Sequence, residues 1–143
     1  MVDIHAYTGP VLVTLATILV YYLFQGHVAR VKTRLARDYA ARGEKFDRYF
    51  GDDREMLAAD RIQLNMLEHM PGFLVLLWLN AAFVSPSSAT IAGGIWLAAR
   101  VAYPFLMGGR LGRGIKASIL LATLPGYLVI LWFVVALVLQ LLR

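Results

Sequence analysis

Residues 60–84 read DRIQLNMLEHMPGFLVLLWLNAAFV, and the reading of this stretch decides the fold. From Gly72 to Val84 it carries no formal charge and is almost wholly apolar, like the interior of a bilayer. Ahead of that run Arg61, Asn65 and Glu68 recur at i, i+4 and i+7, so on a helix they share one face. At about 1.5 Å per residue, a helix of this length crosses the roughly 30 Å hydrocarbon core. Ionisable groups placed there are costly and are by default functional.

Working outward, the interval from Arg61 to Arg100 carries only Glu68 as a charge and is too long for one helix. It breaks at SPSSAT, residues 85–90, where Pro86 and three serines make a short turn. The second span therefore covers about residues 60–84 and the third about 88–107. Ile4 to Ala29 is free of charge and supplies a first span at about 8–29. The last uncharged run, from Ala117 to Leu142, supplies a fourth at about 115–141. Because no backbone group can stay unpaired in hydrocarbon, each span is expected to be helical.

Composition agrees. The chain of 143 residues fits one domain, 1–143, and is 59% hydrophobic, with a mean hydropathy of +0.64. The expected fold class is an all-α membrane protein, a four-transmembrane-helix bundle. Met1 to Tyr7 has no basic residue before the apolar run and no small-residue cleavage site follows, which predicts a retained span rather than a signal peptide. The absence of cysteine excludes a disulfide scaffold, a thiolate metal site and a thiol redox enzyme, so any thiol chemistry needs a thiol supplied by a substrate. His5 and His27 lack metal-ligand company, and no metal is expected. The net charge of +5 sits beside apolar segments, which suits the surface of a lipid bilayer and not nucleic acid.

Loop charges set the topology. Residues 30–59 hold Arg30, Lys32, Arg34, Arg37, Arg42, Lys45, Arg48 and Arg54, and the third loop holds Arg110 and Arg113 with Lys116 following. By the positive-inside rule, loops one and three are cytoplasmic and both termini lie outside. The segment ARVKTRLARDYAAR is expected to extend helix one out of the membrane, ending near Gly43. In FGDDREM, Asp52 offers an N-cap with Glu55 three residues on, starting helix two before the membrane.

Three sets of polar groups fall at the cytoplasmic ends of the spans: Arg61, Gln63, Asn65, Glu68 and His69 on helix two; Arg100 and Tyr103 on helix three; and Arg30 with Arg110, Arg113 and Lys116 around the loops. Taken singly, each has a structural reading. Glu68 and Arg100 form an ion pair that neutralises both inside the bundle, the loop-end arginines snorkel or meet anionic lipid, and Tyr103 is an interfacial aromatic. Trp78, Trp96 and Trp132 read as packing or lipid-facing, and Pro125-Gly126 as a kink. Taken together, the set suits a small, multiply charged ligand. Arginines hold carboxylates in bidentate fashion and Glu68 an ammonium group, while Gln63 and Asn65 serve amides.

The pattern Arg61-x-Gln63-x-Asn65-x-x-Glu68-x-x-Pro71 on helix two, followed by Arg100-x-x-Tyr103 on helix three, resembles the MAPEG family, the membrane-associated proteins in eicosanoid and glutathione metabolism. The helix-two spacing is most similar to the leukotriene synthase branch, and the likeness covers nearly the whole chain. The resemblance implies a homotrimer of four-helix protomers, with glutathione bound between subunits near the cytoplasmic face as co-substrate. The reaction it implies is conjugation to lipophilic small-molecule electrophiles or reduction of lipid hydroperoxides. Carried over by position, it implies that Arg61, Asn65 and Glu68 hold the charged ends and backbone of the tripeptide. Gln63 and Tyr103 add contacts, Arg100 is the helix-three arginine, and Arg30 falls near a family arginine at the end of helix one.

Two positions depart from the pattern. Where active members carry a second tyrosine four residues past the first, this chain has Met107. The family's catalytic arginine before helix four would align with Gly114, one past Arg113; a one-residue loop difference restores Arg113, and Arg110 and Lys116 are the fallbacks. With Arg113 as the catalytic group, its guanidinium stabilises the glutathione thiolate, the nucleophilic form of a thiol whose pKa is ordinarily about 8.5. The competing class is a non-catalytic MAPEG-like lipid-binding or scaffold protein. A small proton-coupled exporter fits less well, because span one has no acid.

Overall fold

The computed structural model describes residues 4–112 and 117–143, and among these the regular secondary structure is all helical, with four long helices and no strand. After a single 3-10 turn at Ile4–Tyr7, α1 spans Thr8–Ala41, α2 Arg54–Phe83, α3 Pro86–Met107 and α4 Ala117–Leu141. All four are long and apolar enough to cross a membrane. Leu12, Leu15, Leu19, Leu121, Leu124 and Leu131 point outward and are exposed. An apolar exterior of this extent is a liability in water and the rule in lipid.

The expected extension of helix one is present. At 34 residues α1 is about 51 Å long, well beyond the hydrocarbon thickness. It ends where Gly43 takes φ 73°, the left-handed conformation that glycine tolerates at a helix C-terminus. There the Gly43 and Glu44 N–H groups close onto the carbonyls of Ala40 and Tyr39 at 3.0 and 2.9 Å.

The start of α2 differs from the expectation by one residue. Asp53, not Asp52, is the N-cap, its Oδ1 accepting from the N–H groups of Glu55 and Met56 at 3.0 Å each. Glu55 does not turn back to complete a capping box; its carboxylate pairs with Arg34 of α1. The other oxygen of Asp53 accepts from Tyr39 Oη at 3.0 Å, so the cap doubles as a tie to α1. Val31, Leu35, Met56 and Ala59 pack beneath these bonds, and Arg48 closes a two-pronged pair with Asp60 at 2.9 Å. The connection between α2 and α3 is also tighter than SPSSAT suggested. Ser85 caps α3 and Pro86 is its first residue, where a missing N–H costs nothing.

Helices α2 and α3 form the central pair, each packing on every other helix. The mid-bundle core is built on Phe73, Leu77, Trp96 and Phe133, with the Phe73 and Trp96 rings stacked at 3.8 Å. Asn80, fully buried, donates to the carbonyls of Leu76 and Phe133 at 3.0 and 3.1 Å and ties α2 to α4. At the end bearing the long basic loop, the Leu111 N–H donates to the Arg54 carbonyl at 3.0 Å, fastening the third loop to the start of α2.

Candidate functional site

The polar residues of α2 and α3 meet near that same end. Seen along α2, Arg61, Asn65 and Glu68 straddle the edge of the buried face. Asn65 turns into the bundle, whereas Arg61 and Glu68 are exposed. Arg61 Nη1 lies 3.4 Å from Glu68 Oε1, two turns apart on the outside of the helix. Glu68 therefore does not neutralise Arg100, and the structural ion pair anticipated between them is replaced by two separate arrangements.

Arg100 has no carboxylate partner among the described residues. It is 1% exposed, and Nη1 donates to Asn65 Oδ1 at 2.7 Å. One turn earlier on the same helix face, the Trp96 ring lies 5.1 Å from its guanidinium carbon, a cation–π distance. Nε and Nη2 have no hydrogen-bond partner. A buried guanidinium with two idle donors is an expensive arrangement.

Two further residues, both on α4, lie beside this group of side chains and were not legible as site residues. Gly126 of α4 lies against the guanidinium: a Cβ built on it would overlap Arg100 Nη2 and stand 3.1 Å from Cζ. The neighbouring Tyr127 meets His69 of α2 edge to face at 5.2 Å. Pro125-Gly126 is thus more than a break in α4.

The remaining candidates are more scattered. Tyr103 is buried beside Ala58, Ile62, Met107 and Ala122. Gln63 is half-buried. Arg30 is exposed, donates from Nε to the Gly26 carbonyl at 3.4 Å, and lines a different groove with His27, Val31, Arg34 and Glu55; a single chain does not bring it to Arg100. Arg110 is exposed. Arg113 and Lys116 lie outside the described residues. Trp96 is a core residue, whereas Trp78 and Trp132 are partly exposed on the bundle exterior. Between α3 and α4, a groove of about 530 Å³ opens on the outside of the bundle, lined by Ile91, Ile95, Pro125, Leu128 and Trp132.

The family model for the MAPEG family matches residues 10–142, which takes in all four helices and every residue of this pocket. The chain belongs to the MAPEG family. It is an integral, multi-pass membrane protein of the glutathione and eicosanoid metabolism family. The chain is also similar to the uncharacterized protein sll1147 of Synechocystis sp., 31% identical over 96 residues. That match takes in 66% of this chain and spans 63% of the relative's length.

Proposed function

We propose that this MAPEG protein is a membrane-bound glutathione-dependent transferase or peroxidase acting on lipophilic electrophiles or lipid hydroperoxides. The observation that carries the reading is the buried Arg100, held by Asn65 and left with two unused donors. Glutathione fits this inventory. A carboxylate matches the two unused donors of the guanidinium, which is 1% exposed, so the helices around it must part to admit the ligand; the exposed Arg61–Glu68 pair offers a cation and an anion to the zwitterionic end of the tripeptide. Gln63 and Tyr103 lie on the same two helices for further contacts. In this reading Arg61 and Glu68, which open outward, meet a neighbouring subunit of a homotrimer, and the partner subunit's Arg30 completes the site. By the positive-inside rule, the basic loops support reading this end of the bundle as the cytoplasmic one.

When bound, glutathione supplies the sulfur nucleophile. Arg113, ahead of α4, stabilises the thiolate; each unit by which it lowers the thiol pKa corresponds to about 1.4 kcal/mol. The apolar groove between α3 and α4 offers a lipophilic co-substrate a seat on the bilayer-facing side of the bundle. Turnover of an aryl halide and of a lipid hydroperoxide by the purified protein tests the reading. Arg113→Ala is expected to lower turnover at least tenfold while glutathione still raises the thermal midpoint; unchanged turnover removes Arg113 from its role.

One observation favours the second reading, a non-catalytic lipid-binding or scaffold protein of the same family. Met107, where active members carry a tyrosine, is buried against Ala58, Ile62 and Tyr103 and brings no hydroxyl to the site. Glutathione binding with no turnover on either substrate class selects that reading.

A further inference from the structure

We infer that Gly126 is a positioning residue, which fixes where Arg100 presents its free N–H groups. The guanidinium is held on three sides. Trp96 stacks under it from one turn earlier on α3 at 5.1 Å, Asn65 of α2 accepts from Nη1 at 2.7 Å, and the bare Cα of Gly126 on α4 forms the remaining wall. With 1% of the residue exposed, there is no solvent into which the head group can retreat. A methyl group at 126 would stand 3.1 Å from Cζ and 3.5 Å from Nε, and would overlap Nη2. Restoring ordinary van der Waals separation moves the guanidinium by more than about 1 Å. A shift of that size breaks the Asn65 bond or re-aims Nε and Nη2, the two donors with no protein partner.

Glycine is otherwise a poor choice in the middle of α4, about 1 kcal/mol less favourable than alanine in a helix. Only Gly43 and Gly108 take positive φ values among the described residues, so backbone conformation does not require glycine at 126. The space it leaves for Arg100 does. Of the other interior glycines of α2 and α3, a methyl group on Gly72 or Gly94 would have nothing within 4 Å, whereas one on Gly93 would meet only hydrocarbon and ring carbons. Gly126 alone among these four faces a charged group.

The identity of the anion rests on the glutathione reading; the positioning itself does not. The test uses the full chain in detergent with G126A, R100M and R100M/G126A. Without ligand, G126A is expected to lower the thermal midpoint in the wild-type background and to leave it unchanged or raised in the R100M background. Such coupling is the signature of residues that act on each other. Equal losses in both backgrounds overturn the proposal, because Gly126 would then serve the fold alone. If G126A does not fold, recovery of the fold in R100M/G126A supports it and failure of both overturns it.

With glutathione, G126A is expected to weaken affinity at least tenfold and to raise KM far more than it lowers kcat, with R100K/G126A regaining part of the loss through its more compact cation. Unchanged affinity in G126A overturns the link to ligand. Absence of binding by the wild type overturns the glutathione reading, and the ligand-free cycle then decides Gly126 by itself.

Discussion

Arg100 Nη1 donates to Asn65 Oδ1 at 2.7 Å in the interior of the bundle, so the buried cation is met by an amide dipole and not by a carboxylate. An amide oxygen satisfies one donor without cancelling the charge. The pocket keeps a net positive potential that a salt bridge to Glu68 would have abolished, and low polarity around it strengthens that potential. Glu68, turned outward, is left to Arg61.

This arrangement separates stability from binding. Replacing Arg100 with methionine removes a lone buried charge and retains much of its volume, a gain that outweighs leaving the Asn65 amide oxygen without its donor. R100M is therefore expected to keep or raise the ligand-free thermal midpoint and to lose the shift produced by glutathione. Asn65→Ala strands a third donor of the guanidinium and is expected to destabilise by about 1–3 kcal/mol. A thermal series on the two variants, with and without millimolar glutathione, checks both signs.

The Arg61–Glu68 pair should behave in the opposite way. Both side chains are about half exposed, and exposed ion pairs contribute little, on the order of 0–1 kcal/mol. Arg61→Ala and Glu68→Ala are expected to leave the unfolding midpoint nearly unchanged while reducing glutathione affinity. Equilibrium binding on purified variants measures this, and a large stability loss with intact affinity would count against their role as ligand contacts.

Asp53 anchors the other end of α2. Its carboxylate caps the helix and accepts from Tyr39, so Asp53→Ala is expected to cost about 1–2 kcal/mol through the cap. Asp52→Ala, one residue earlier, is expected to be silent in the same unfolding assay.

In the first loop, Asp47 Oδ1 accepts from the N–H groups of Phe50 and Tyr49 at 2.9 and 3.1 Å. The Phe50 bond above all holds its carboxyl below the usual carboxylate pKa. A depressed folded-state pKa means the contribution is fully present above the unfolded value, about 3.9, and is lost as pH falls through the lower folded value. Hydrogen exchange at the Phe50 amide is expected to stay slow from neutral pH to about 5, after correction for intrinsic rates. It should lose protection as Asp47 protonates, and Asp47→Asn should remove the pH dependence.

Much of this protein is settled by sequence alone. The four spans follow from uncharged runs long enough to cross hydrocarbon, because the membrane penalises charge and unpaired backbone wherever they occur, whatever the tertiary packing. For the same reason Arg61, Asn65, Glu68 and Arg100 stand out as groups with a purpose, and the family pattern they form agrees with the family model over residues 10–142. What only the tertiary structure decided is who meets whom. Adjacent acids at 52 and 53 are equivalent by composition, and it took the Tyr39 and Glu55 contacts to select Asp53. Spacing put Arg61, Asn65 and Glu68 on one face, yet the rotation of α2 against α3 turned Asn65 inward and left the other two outside. Gly126 has no side chain to announce a role. Its meaning lies in the guanidinium that fills the space it leaves, and such a relation between two helices exists only once they are packed.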